Sequence, residues 1–184
     1  MEGSPLSRSA LVLAGVVLTG CGSGNTPSTV AFDLPQTATK EMLVVGCNSF
    51  PPNGAIPEDF SAYGASMIPE VTWANVPAGA KSLLFMIEDP DAPGAKPFVH
   101  WVVTNIDPKA AQIPGAGTAE RNSNGEAKYY GPHPPAGPEH HYHFEMFALD
   151  ETVGPDVQDR DSAVAAMAGH VVAKGEFVAT YAKP

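Results

Sequence analysis

Ser82-Leu83-Leu84-Phe85-Met86-Ile87-Glu88 running into Asp89-Pro90-Asp91-Ala92-Pro93, then Phe98-Val99-His100-Trp101-Val102-Val103 after a short gap, is the stretch that decides the fold. Two apolar runs of strand length, separated by a turn rich in proline, read as strands rather than helices. Proline holds its own φ at about −65° and drives the residue before it out of the helical region. Asp89 is therefore held at a strand end in extended or turn backbone, and Asp91 sits in the turn. Their carboxylates either bond nearby N–H groups, as Asp does in an ordinary turn, or face a site, and spacing leaves both readings open. In the second run, alternation sends Phe98, His100 and Val102 to one face and Val99, Trp101 and Val103 to the other. An unpaired buried imidazole costs about 1–3 kcal/mol, so His100 needs a partner, and a carboxylate of the Asp89 turn is one available group. A core histidine satisfied elsewhere is the plainer alternative.

The rest of the chain is punctuated in the same way. Gly and Pro make up 37 of 184 residues, a share that suits many turns and short strands. Met42 to Cys47, Val71 to Trp73, Tyr142 to Leu149 and Glu176 to Tyr181 are further strand candidates. One stretch has helical spacing. With Asp161 or Ser162 as N-cap, Val164, Met167, Val171 and Val172 recur at i, i+3, i+7 and i+8, and Gly175 reads as the stop. The expected fold is mostly β, an antiparallel β sandwich with one helix near the C-terminus. The length suits one domain with a core large enough to need no staples. A net charge of −10, with Lys and Arg nowhere clustered, argues against a nucleic-acid partner.

At the N-terminus, Arg8 precedes the apolar run Ala10 to Leu18, which is too short to span a bilayer and has the order of a secretory signal peptide. Leu18-Thr19-Gly20-Cys21 resembles a bacterial lipobox, so residues 1–20 are expected to be removed and Cys21 to be lipidated. Gly22 to Thr29 is polar and built of small residues, giving a flexible linker over 21–30 and a folded domain over 31–184. Stable anchoring requires more than one acyl chain. The expected location is outside the cytoplasm, on the periplasmic side or cell surface, with the membrane as partner through Cys21. Cys47 then has no disulfide partner and reads as a buried thiol.

Polar chemistry also gathers in Gly131-Pro132-His133-Pro134-Pro135-Ala136-Gly137-Pro138-Glu139-His140-His141-Tyr142-His143-Phe144, a rigid loop entering a strand. Alternation puts His140, Tyr142 and Phe144 on one face, with His141 and His143 on the other. A His and a Tyr two residues apart make a donor pair suited to a small anion. His141 and His143 could chelate a metal, but alternation separates them from His140, and no Cys or HExxH helix completes a set. No metal or cofactor is therefore expected.

Asp89-Pro90-Asp91-Ala92-Pro93, His100-Trp101, Gly131-Pro132 with Pro134-Pro135-x-Gly137, and His140-x-Tyr142 occur in the order found in the phosphatidylethanolamine-binding protein family. Over roughly residues 40 to 182 the chain resembles most its bacterial branch, the Raf kinase inhibitor-like proteins. The resemblance implies a β sandwich with a small pocket that accepts phosphate-like anions. Carried over by position, Asp89, His100, His140 and Tyr142 would line it, and Asp91, Pro132 and Pro134 would shape its rim. The family often has Arg where this chain has His141, which would make anion affinity depend more on pH. It often has Ser where this chain has Ile68, before Pro69. The stretch from Asn48 to Met67 has no counterpart in the resemblance.

The expected function is that of a non-enzymatic, lipid-anchored binding protein for a small anion or phospholipid head group. Inhibition of a protease through surface loops, such as Gly115 to Tyr130, is the alternative. Hydrolysis with His100 or His140 as base is less favoured, since no G-x-S-x-G elbow offers a nucleophile.

Overall fold

The computed structural model describes Met1 and residues 28–113 and 115–183. The expected signal peptide, Cys21 and most of the linker lie outside the described residues. Among these residues, seven strands and one α-helix follow in chain order: β1 (Val44–Cys47), β2 (Val71–Ala74), β3 (Ser82–Asp89), β4 (Phe98–Ile106), β5 (Thr118–Glu120), β6 (His140–Leu149), α1 (Arg160–Met167) and β7 (Val171–Tyr181). A five-stranded sheet has the order β5-β4-β3-β6-β7, a two-stranded sheet pairs β1 with β2, and every pairing between strands is antiparallel.

Every residue of β3 is buried, as its unbroken apolar run requires of a central strand covered on both faces. On one face Phe85 and Ile87 join Trp101, Phe144 and Phe177 beneath Leu43, Val45 and Val71 of the small sheet and its approach. On the other, Leu84, Met86, Val102 and Phe147 pack against Ala31, Val153, Val157, Val164 and Met167. The sandwich expected from the sequence is present, with a two-stranded sheet as one outer layer and α1 plus the N-terminal segment as the other.

The N-terminal boundary differs from the expected one. Ser28 N–H donates to the Pro90 carbonyl at 3.0 Å, and Val30 and Ala31 are buried, so the folded domain includes residues 28–30 of the expected linker. Residues 48–67 are part of the core, with Phe50 and Ile56 buried in it and the Ser61 hydroxyl bonded to the Tyr181 hydroxyl at 2.9 Å.

The C-terminal helix is shorter than its spacing suggests. Its N-cap is Asp159, not Asp161 or Ser162: Asp159 Oδ1 accepts from Ser162 N–H at 2.9 Å, while Ser162 Oγ accepts from Asp159 N–H at 3.1 Å. This reciprocal box fixes Ser162 at the third helical position. The helix ends at Met167 because Gly169 takes a left-handed φ of 85°. Val171 and Val172 belong to β7, and Gly175 is a strand residue instead of a helix stop. A Cβ at Gly175 would lie 2.5 Å from the Leu43 carbonyl oxygen, so the close approach of the segment leading into β1 excludes any side chain. Gly175→Ala is expected to destabilise the domain by about 3 kcal/mol, the upper part of the overpacking range, read as a shift in the urea midpoint. An unchanged midpoint would mean that the β1 segment can move aside freely.

Candidate functional site

The site forms where β3, β4 and β6 end together. In the β3–β4 register, Ile87 faces Trp101 and the next residue, Glu88, faces Val99, so His100 is an extra residue in a β-bulge. The bulge resets the alternation expected for β4. Val99 joins Val102 and Met86 on one face, while Trp101 and Val103 join the other. His100 is turned to the side of Tyr142, whose ring meets its own edge-on at 5.2 Å, and Phe98 lies 4.8 Å from it.

His100 does not pair with the Asp89 turn. Its Nδ1 donates to the Tyr130 carbonyl at 2.8 Å, and the Tyr130 ring lies parallel to it at 5.9 Å. A carbonyl can only accept, so the proton sits on Nδ1 and Nε2 is left as an acceptor. Burial pushes the His100 pKa down to about 4, so the ring is neutral at neutral pH.

The Asp89 turn serves His140 instead. Asp89 Oδ1 accepts from the N–H groups of Asp91 (2.9 Å) and Ala92 (3.1 Å), and Oδ2 accepts from His140 Nδ1 at 2.8 Å. Both readings left open for this carboxylate therefore hold at once, a turn cap on one oxygen and a histidine on the other. Burial raises the Asp89 pKa, and the His140 bond is the chief opposing effect. With Nδ1 committed, Nε2 is the nitrogen His140 can offer to anything entering.

A cavity of about 170 Å³ opens here, lined by Asp89, His100 and His140, by the side walls Phe98 and Tyr130, and by the loop at His133 and Pro134. Tyr142 lies behind this lining. It is fully buried, and its hydroxyl has no hydrogen-bond partner among the described residues. Burial pushes the phenol well above its usual pKa, so it remains a proton donor.

Asp89, His100, His140 and Pro134 line the cavity, whereas Tyr142, expected to line it, packs behind His100, and Asp91 and Pro132 do not line it either. Asp91 Oδ2 takes the N–H and Nδ1 of His141, each at 2.8 Å, which ties the turn to the outer face of β6. His141 is therefore occupied outside the cavity and is not among its lining residues. The Pro132 carbonyl accepts from Ala62 N–H at 2.9 Å. A Cβ at Gly131 would lie 2.6 Å from the Phe60 carbonyl oxygen, so the loop needs glycine where residues 60–62 press on it. Tyr63 completes the support, with its ring 4.4 Å from His133 and its hydroxyl donating to the Pro134 carbonyl at 2.6 Å. Sequence reasoning missed Phe98 and Tyr130 as walls and the 48–67 segment as the buttress. Only the position of Tyr130 directly before Gly131-Pro132 hinted at its role.

Comparison with known proteins agrees with this architecture. Residues 47–182 match the family model described as phosphatidylethanolamine-binding protein. A protein of Mycobacterium tuberculosis H37Rv named "Putative lipoprotein LppC" is 39% identical over 163 residues, covering 79% of each chain. The crystal structure of a phosphatidylethanolamine-binding protein homologue from Chlamydia trachomatis is similar with a TM-score of 0.72 at 29% identity, covering 79% of this chain and 100% of that one. Escherichia coli YbcL, described as a new member of the mammalian PEBP family, gives a TM-score of 0.70 at 25% identity, covering 77% of this chain and 99% of its own. With a match that runs from β1 to the end of β7 and the fold shared, the chain belongs to the phosphatidylethanolamine-binding protein family.

Proposed function

We propose that this chain is an exported, lipid-anchored protein that binds a small anion of the phosphate or phospholipid head-group class without turning it over. The observation that carries the reading is the Tyr142 hydroxyl, a buried donor with no partner, set behind a cavity that two histidines line. A buried unsatisfied hydroxyl costs about 1–3 kcal/mol, and a ligand oxygen or a water it orders would recover that. The cavity is smaller than the 300–1,000 Å³ typical of drug-sized ligands, which favours a compact group.

A buried carboxylate beside an anion is tolerable because both Asp89 oxygens are already bonded, one to the turn and one to His140. Neutral His100 presents an acceptor at Nε2 and His140 offers the Nε2 that Asp89 leaves free, so the pair suits a partly protonated phosphate that both donates and accepts. No Ser, Thr, Cys or Lys is among the lining residues and the one lining carboxylate, Asp89, already has both oxygens bonded, which speaks for binding over the commoner covalent routes. The name of the mycobacterial relative and the Leu18 to Cys21 lipobox support the anchor.

In an NMR titration with O-phosphoethanolamine, inorganic phosphate and acetate, saturable shifts are expected around Asp89, His100 and His140, with phosphate compounds ahead of acetate. Tyr142→Phe is expected to leave stability unchanged or higher while weakening phosphate binding about tenfold, one hydrogen bond's worth. Equal affinity in that variant would remove the central support.

His100 should stay neutral in the same spectra from pH 8 to 5.5, and a midpoint above 6 would contradict its burial. Because its folded pKa lies below the unfolded 6.5, the folded state binds fewer protons between the two values. Its contribution to stability is therefore complete above 6.5 and lost as pH falls toward about 4, by about 3 kcal/mol in all.

For the anchor, the full chain expressed in a bacterial host should partition into the detergent phase and take up labelled palmitate, and Cys21→Ser should abolish both. Unlabelled, aqueous parent protein would rule the lipid out.

A further inference from the structure

On the opposite face of the sheet from the pocket, β6 and β7 bring two carboxylates and a histidine together. Glu145 and Glu176 are direct cross-strand partners. Like charges in that position repel and need a counterion or a proton between them. His143, two residues before Glu145 on the same face, donates from Nδ1 to Glu176 Oε2 at 3.0 Å. One ligand atom from each of the three lies within 4.8 Å of the others.

Glu145 itself is the independent sign. It is fully buried, its Oε1 accepts from Phe32 N–H at 3.1 Å, and its Oε2 has no partner among the described residues. The neighbouring buried acid is not in that condition, since Glu88 is paired with Arg160 and takes the Ala31 N–H on its second oxygen. A carboxylate oxygen sealed away from water without a partner is costly, and a bound cation would supply what Oε2 lacks.

We propose that His143, Glu145 and Glu176 form a binding site for one divalent transition-metal ion, with Zn²⁺ the best match. One imidazole nitrogen and two carboxylate oxygens suit Zn²⁺, whereas Mg²⁺ prefers an all-oxygen shell and keeps its waters. Ligand atoms around tetrahedral zinc stand about 3.4 Å apart, so a pair at the 4.8 Å limit has to close by about 1.4 Å, within the reach of a glutamate side chain. The side chains of His143 and Glu176 keep 20% and 26% exposure, giving the ion a way in and leaving its fourth position to water. Because Phe32 N–H rests on Glu145, a loaded site would also stiffen the attachment of the N-terminal segment.

The test is calorimetric titration of the metal-stripped full chain with Zn²⁺ and Mg²⁺, beside Glu145→Gln and His143→Asn. Expected are one Zn²⁺ per chain, at least tenfold preference over Mg²⁺, and at least tenfold weaker Zn²⁺ binding in each variant. Co²⁺ substitution should give visible d–d bands without a thiolate charge-transfer band, which separates this site from Cys21 or Cys47. Zn²⁺ binding of equal strength in both variants, or with a thiolate band, would move the ion elsewhere and overturn the proposal. So would no binding by the parent chain, which would leave a proton shared by the two carboxylates. His143→Asn changes a partly exposed ring and keeps the test decisive even if Glu145→Gln fails to fold.

Discussion

The central strand β3 has no solvent face, and the rest of the molecule is arranged around that constraint. Apolar side chains leave both of its sides, so both must be covered, by the β1–β2 sheet on one and by α1 with the N-terminal segment on the other. The strand ends in two consecutive acids that alternation sends to opposite layers. Glu88 is fixed by Arg160 and Ala31 on the helical side, while Asp89 is fixed by its own turn and by His140 on the pocket side. Each layer is therefore bolted to the end of the same strand by a buried carboxylate, and removing either partner would leave a charge without compensation.

The strands were readable because their apolar runs are short and sharply bounded. The residues of the site were readable as residue types: Asp89, His100, His140 and Tyr142 do converge, and the resemblance to known relatives pointed to the same group. What could not be read was the partnering. A bulge has no sequence mark of its own, so strict alternation groups His100 with Val102, from which the bulge separates it while leaving it beside Phe98, and its partner is a backbone carbonyl. The helix was extended too far because two valines of β7 happened to continue its period. Gly175 was misread for a similar reason, since its cause lies in a segment more than 130 residues earlier in the chain. The histidine-rich loop shows the same limit: spacing weighs only His140, His141 and His143 against one another, whereas the proposed set adds Glu145 of the same strand and Glu176, which only cross-strand pairing brings beside it.

The pocket wall is held in place by groups outside its lining. Gly131 permits the loop to lie against residues 60–62, and Tyr63 holds both His133 and Pro134. The stretch 48–67, expected from the sequence to lack a counterpart in the family, falls inside the match to the family model and sets one wall of the cavity. Relatives that differ there would present a wall of different shape behind the same histidines, a route to different ligand preferences on a shared polar frame.

The docking of Ser28 on Pro90 would set the reach of any tether attached at Cys21. Pro90 follows Asp89 directly, so the chain enters the fold at the turn that holds the pocket's carboxylate. Seven residues carry the chain from Cys21 to Ser28, a leash of at most about 25 Å when fully extended. A domain held by a lipid on Cys21 would keep that turn within a leash length of the bilayer surface, where head groups are present at an effective concentration far above any free ligand. Under that geometry, if the pocket takes head groups, even a weak site would be occupied much of the time, and affinity measured in free solution would understate occupancy at the membrane.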